Sequence, residues 1–105
     1  MQRLDKQVER NLKGMELEKA QNLEQAISLY EENVKEKFDG SHPYERLSII
    51  YKKLGKIEDE IRVLELAVSV YNKETARTVL YGNPKLGKFK DKLTKALERK
   101  NKTKL

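Results

Sequence analysis

The sequence predicts an all-α protein made of two stacked helix–turn–helix units and a C-terminal closing helix. Three observations predict it. Gly and Pro are sparse, five and two in 105 residues, and no stretch sustains the two-residue alternation of a half-buried strand. Leu, Glu and Lys are abundant, and apolar residues recur three and four apart, the spacing of one helix face. Finally, an offset of 34 residues lays Gln7–Gly40 over Ser41–Glu74 with apolar on apolar at eight places. The two windows hold 12 and 15 apolar residues, for which chance gives about five coincidences.

The elements follow in order. The first helix runs from about Arg3 to Ala20 on an apolar stripe of Leu4, Val8, Leu12 and Met15, with Gly14 explained only if something packs on it. The second, from about Asn22 to Lys37, offers Asn22 as a cap and Leu23, Ile27, Tyr30 and Val34 as its buried face; Asp39-Gly40 stops it. Ser41 caps the third, Pro43 sits in its first turn, and Tyr44, Leu47, Ile50, Tyr51 and Leu54 carry it to Gly55. The fourth spans about Ile57 to Tyr71, with Ile57, Ile61, Leu64, Ala67, Val68 and Tyr71 inward and Glu58 paired with Arg62 outside. Residues 74–82 read as a further short helix or a loop. The last helix starts on Asn83 and Pro84, carries Leu86, Phe89, Leu93, Ala96 and Leu97, and frays beyond Arg99.

At 105 residues and 12.3 kDa the chain holds one small domain, and 38% charged against 37% hydrophobic residues implies an elongated helical shape. The absence of Cys excludes disulfides and thiolate chemistry, and a single His42 leaves few ways to build a zinc site, so neither metal nor cofactor is expected. There is no apolar run of membrane-spanning length and no signal-like start, which makes a cytoplasmic protein without membrane contact the expectation.

Charge divides the chain at Asn83-Pro84. Residues 84–105 hold nine Lys or Arg and two acids, a net +7, which leaves −1 for residues 1–83 out of the formal +6. A basic patch of Lys85, Lys88, Lys92, Lys95 and Arg99 results. It is a solvated helix face or a surface for phosphates or acidic partners. The organisation is thus a repeat region over 1–83, with units at about 7–40 and 41–74, and a basic capping helix and tail over 84–105.

The 34-residue period carries a size pattern. The second unit has Tyr44, Leu47, Ser48 and Tyr51, then Gly55 at the turn, then Ile61, Leu64 and Ala67; the first has Gly14, Leu17, Ala26, Ile27 and Tyr30. On these residues, over about 7–74, the chain resembles the tetratricopeptide repeat (TPR) family. It departs from the pattern at Arg10, Lys13, Asn33, Glu60 and Asn72; a third unit is blocked by Pro84. The segment 38–47 resembles units in small helical-repeat proteins of low-GC Gram-positive bacteria and their phages. The resemblance implies a concave groove lined by Val8, Asn11, Met15, Glu18 and Lys19 of one unit and His42, Glu45, Ile49, Lys52 and Lys53 of the next. Met15 and Ile49 among lysines suit a peptide with an apolar anchor and an acidic neighbour. The family's clamp for a chaperone carboxylate needs a Lys and an Asn where Asn11 and Met15 stand, so that role is disfavoured.

No nucleophile–base pair or ligand set is legible, so the expectation is a non-enzymatic module that binds a protein or peptide. His42 reads as part of a helix start, and Glu31-Glu32 and Glu58-Asp59-Glu60 as solvated charge. Glu60 is singled out because the pattern wants alanine there; a carboxylate so placed needs a partner such as Arg46 or a helix end. Tyr30, Tyr44, Tyr51 and Tyr71 are expected in the core with hydroxyls at its rim. Two units fall short of the three usual in a stable stack, so either the outer helices or a second chain completes the core; the stripe Leu86, Phe89, Leu93, Leu97 motivates a homodimer. The alternatives are nucleic-acid binding through the basic segment and a small phage-encoded inhibitor of a host protein.

Overall fold

The helix-period stripes fold as five helices, with no strand among the described residues. The structure is a computed structural model describing residues 3–77 and 84–103: α1 (Arg3–Lys19), α2 (Leu23–Lys35), α3 (His42–Lys53), α4 (Ile57–Arg77) and α5 (Pro84–Thr103). The proposed cap Asn83, Tyr81 and most of the ambiguous 74–82 stretch lie outside the described residues. Within it, α4 runs past its expected end at Tyr71 to Arg77. Likewise α5 stays helical to Thr103 instead of fraying after Arg99. There Arg99 and Lys100 reach back to Glu60 and Glu58 of α4, and basic side chains in the last turn suit the negative end of the helix dipole.

Three helices end in the same way. Gln21, Lys37 and Gly55 take left-handed backbone, φ 63, 57 and 74, and the next amide reaches back over the last turn: Asn22 to the Leu17 carbonyl at 2.8 Å, Phe38 to Asn33 at 3.0 Å, Lys56 to Tyr51 at 2.8 Å. Gln21 and Gly55 are 34 positions apart, so the sequence period is also a backbone period. The expected caps at Asn22 and Ser41 do not form. Asn22 sits at ψ 72 and Ser41 in helical backbone, outside the extended region from which a side chain reaches the free amides. Instead the Ser41 hydroxyl accepts a hydrogen bond from Lys85 at 2.9 Å.

Each helix packs on its chain neighbour, α1 on α2, α2 on α3, α3 on α4 and α4 on α5, in a slab of 49 × 41 × 18 Å. Two helix layers fill that thickness. The core is built on Tyr30, Tyr44, Leu47, Val63, Leu64 and Phe89, with Ala26, Ala67 and Ala96 fully buried among them. The four tyrosines are buried. Tyr30 donates to Glu18 at 2.6 Å, Tyr44 to the Phe38 carbonyl at 2.7 Å and Tyr51 to Glu31. From α5, Phe89 stacks on Tyr71 at 5.6 Å and meets Tyr44 edge-on at 6.3 Å. The stripe that motivated a homodimer is therefore largely consumed within the chain: Leu86 and Phe89 are buried, Leu93 packs on the core, and only Leu97 is exposed. Leu54, expected inward, is also exposed, because it follows the last turn of α3.

The first helix is the exception to apolar-inward folding. Leu4, Val8, Leu12 and Met15 are 59%, 44%, 57% and 40% exposed, while α1 packs through Gln7, Asn11 and Gly14. Two features force that orientation. Tyr30 lies where a Gly14 side chain would be, its ring 2.5 Å from an added Cβ. Asn33, fully buried on α2, donates to the Gln7 carbonyl at 2.8 Å and the Asn11 side chain at 2.9 Å, and accepts from Arg10 at 3.1 Å. A leucine facing Asn33 would leave those groups unpaired, at roughly 1–3 kcal/mol each.

Candidate functional site

Chemistry concentrates where α5 crosses the open side of α3. Pro43 sits in the first turn of α3, and from there Ile49 and Lys52 fall one turn apart on the face opposite the one that buries Leu47 and Tyr51. Ser48 closes its own hydrogen bond onto the Glu45 carbonyl at 2.8 Å, and its small size leaves room above the helix. Along α5 the residues Lys85, Lys88, Lys92, Lys95 and Arg99 are spaced three, four, three and four, which puts all five on one face beside the apolar stripe that binds α5 to α4.

These faces enclose a cleft of about 120 Å³ lined by Ser48, Ile49, Lys52, Glu60, Lys92, Lys95 and Arg99. Its corner is an ion pair. Glu60 is 4% exposed and accepts two hydrogen bonds from Arg99, at 3.2 and 2.6 Å. Those bonds outweigh desolvation and hold the Arg99 guanidinium above its ordinary pKa. The anticipated partner Arg46 is engaged elsewhere, on Glu18 at 2.6 and 3.1 Å, because it points toward α1. Nor are the neighbouring carboxylates merely solvated: Glu58 meets Lys100 at 2.9 Å, Asp59 meets Arg62 at 3.2 Å, and Arg62 joins Glu31 rather than Glu58. Four cations and one carboxylate thus line the cleft, a net +3. Lys95 has only exposed Asp91 at 3.2 Å, and Lys52 and Lys92 meet no carboxylate among the described residues. Ligand pockets for small molecules span about 300–1,000 Å³, so this volume admits a side chain rather than a cofactor.

The residues assigned to the groove divide into three groups. Val8, Met15 and Ile49 are exposed apolar positions, and Lys19, Lys52 and Lys53 exposed cations. Asn11 is buried under Asn33 and not available. Glu18, His42 and Glu45 are half-buried and structural. Burial pushes the Glu18 carboxyl up, yet the hydrogen bonds from Arg46 and Tyr30 outweigh it and hold it below its ordinary range. His42 packs edge-on to Tyr30 at 5.5 Å with a buried, unpartnered Nε2, and burial followed by Arg46 lowers its pKa. The contribution of Lys92, Lys95 and Arg99 to the same cleft as Ile49 and Lys52 is absent from the sequence reading. Its available signals are the three-four spacing of the basic residues and the carboxylate at an alanine position.

Among the described residues no group of three or more His, Cys, Asp or Glu is placed to hold a metal ion, and no helix is long and apolar enough to cross a membrane. Comparison of the chain with protein families, curated proteins and solved structures finds no match.

Proposed function

We propose that this chain is a non-enzymatic module of TPR-like architecture that docks a segment of another protein, with an apolar anchor at Ile49 and an acidic neighbour in the cleft. The observation that carries the reading is a side-chain-sized cleft in which Lys52 and Lys92, with no carboxylate partner among the described residues, flank an exposed isoleucine. Unpaired cations beside an apolar spot favour an acidic, amphipathic segment over a neutral one and speed its encounter. The 34-residue period and the matching chain reversals at Gln21 and Gly55 support the repeat architecture.

Affinity capture from host lysate at about 0.15 M and about 0.5 M salt, with and without nuclease, tests it. The expected result is a protein retained after nuclease and lost with Ile49→Glu or with Lys52→Glu/Lys92→Glu. The linear basic face of α5 favours a second reading, binding to nucleic acid. Against it, Arg99 is committed to Glu60, Lys100 to Glu58 and Lys85 to Ser41. Recovery that disappears with nuclease selects that reading.

A further inference from the structure

We infer that α1 of a second copy of this chain lies over the cleft, one apolar side chain of its stripe entering beside Ile49, so that two molecules pair reciprocally; the inference rests on reading the cleft as a protein-docking site. The first observation is the exposed stripe. Leu4, Val8, Leu12 and Met15 leave an apolar strip on the order of 400 Å² open, the size of the largest patch on typical soluble monomers and characteristic of an interface. The strip cannot be withdrawn by rolling α1, since Gly14 is seated on Tyr30 and Asn11 on Asn33.

The second observation is charge. By helical spacing, Asp5, Glu9 and Glu16 run along the edge of the stripe that faces away from the rest of the fold, an acidic border beside an apolar strip that ends in the exposed Lys19. Among the described residues only Glu16 of the three has an ion pair, at 3.7 Å with Lys13, in which both groups are exposed. The α3–α5 cleft presents the complement: Ile49 with Lys52, Lys92 and Lys95. Within one molecule the two surfaces belong to opposite ends of the helix order, α1 packing on α2 and α5 on α4. A second copy brings them together. Antiparallel pairing of α1 with α1 about a two-fold axis would instead set the acidic borders against each other.

The third is area. A stable dimer buries about 800 Å² on each partner. One stripe alone supplies about half of that, whereas reciprocal docking covers on each copy both a stripe and the α3 and α5 faces around the cleft, and closes as a two-fold dimer.

Sedimentation of the full chain from about 1 to about 200 µM tests the inference. The mass is expected to double across that range, with a dissociation constant that rises with salt. Val8→Glu/Leu12→Glu and Lys52→Glu/Lys92→Glu are each expected to weaken pairing at least about 10-fold with helical circular dichroism unchanged, since all four positions are at or near the surface. Mixing the two variants is expected to restore a dimer of intermediate strength, held by the one intact stripe–cleft junction. A wild-type chain that is monomeric throughout, a dimer indifferent to the cleft variant, a mixture that does not pair, or masses climbing beyond the dimer overturns the inference. The docking reading is judged separately: if a monomeric chain still captures another protein and the cleft variant abolishes that capture, only self-pairing is lost, whereas capture indifferent to the cleft variant overturns the docking reading as well.

Discussion

The two helical hairpins share a turn geometry but not an interior. Between α3 and α4, and onward to α5, the contact is mainly apolar, with the Glu60–Arg99 pair at its edge: Leu47, Ile50, Val63, Leu64 and Ala67 are buried. Between α1 and α2 the centre is Asn33, ringed by Gln7, Arg10 and Asn11, with Arg10 further paired to Glu32 at 3.0 Å and Glu36 at 2.8 Å. Apolar burial is non-directional and fixes a helix face only loosely, whereas a satisfied polar network fixes one rotation of the helix. Thus α1 keeps its apolar stripe outside, whereas α2, α3 and α4 bury most of theirs.

The largest expected effect lies in the apolar half. Leu64→Ala removes a fully buried side chain from the centre of the second hairpin and should cost about 2–5 kcal/mol in chemical denaturation. Asn33→Ala leaves the Gln7 carbonyl and the Asn11 side chain unpaired, and should cost about 2 kcal/mol. A neutral result there would break the comparison. The third prediction concerns pH. Folded His42 holds its proton less well than the unfolded chain does, so stability present above the ordinary value of 6.5 is lost as pH falls below it. Glu18 adds a loss of the same sign below its ordinary 4.5. The groups facing the imidazole are Tyr30, Glu18, Arg46 and Glu45. Denaturation midpoints followed from neutral to mildly acidic pH should fall for the wild type, and the fall above pH 5 should be reduced in His42→Gln. The smallest effect sharpens the comparison at the turns: Gln21→Gly gives the first hairpin the residue that the second has at Gly55, with an expected gain of roughly 0.5–1 kcal/mol.

The number and order of the helices were legible because apolar periodicity and Pro and Gly punctuation are local signals. The orientation of α1 was not. Its apolar stripe suggested a buried face, and the reversal depends on Asn33 and Tyr30, residues 12 or more positions away whose hydrogen bonds exist only in the packed molecule. Side-chain caps failed at Asn22 and Ser41 for a related reason, since backbone angles set by the preceding turn overrode residue preference. Of the candidate site, Ile49 and Lys52 were legible from the repeat register. Their meeting with Lys92, Lys95 and Arg99 required knowing which way α5 lies on α4.

The ties that hold α5 in place have a consequence for the order of assembly. Arg99–Glu60, Lys100–Glu58 and Lys85–Ser41 join residues 39, 42 and 44 positions apart, against 12 for Tyr30–Glu18 and 26 for Asn33–Gln7 in the first hairpin. Long chain closures are entropically costly and come after local ones. Both hairpins should therefore form before the last helix lands, which makes the cleft the final surface to come into being and the first to be lost on partial opening. Native-state amide exchange that is faster in α5 than in α3 would be its signature.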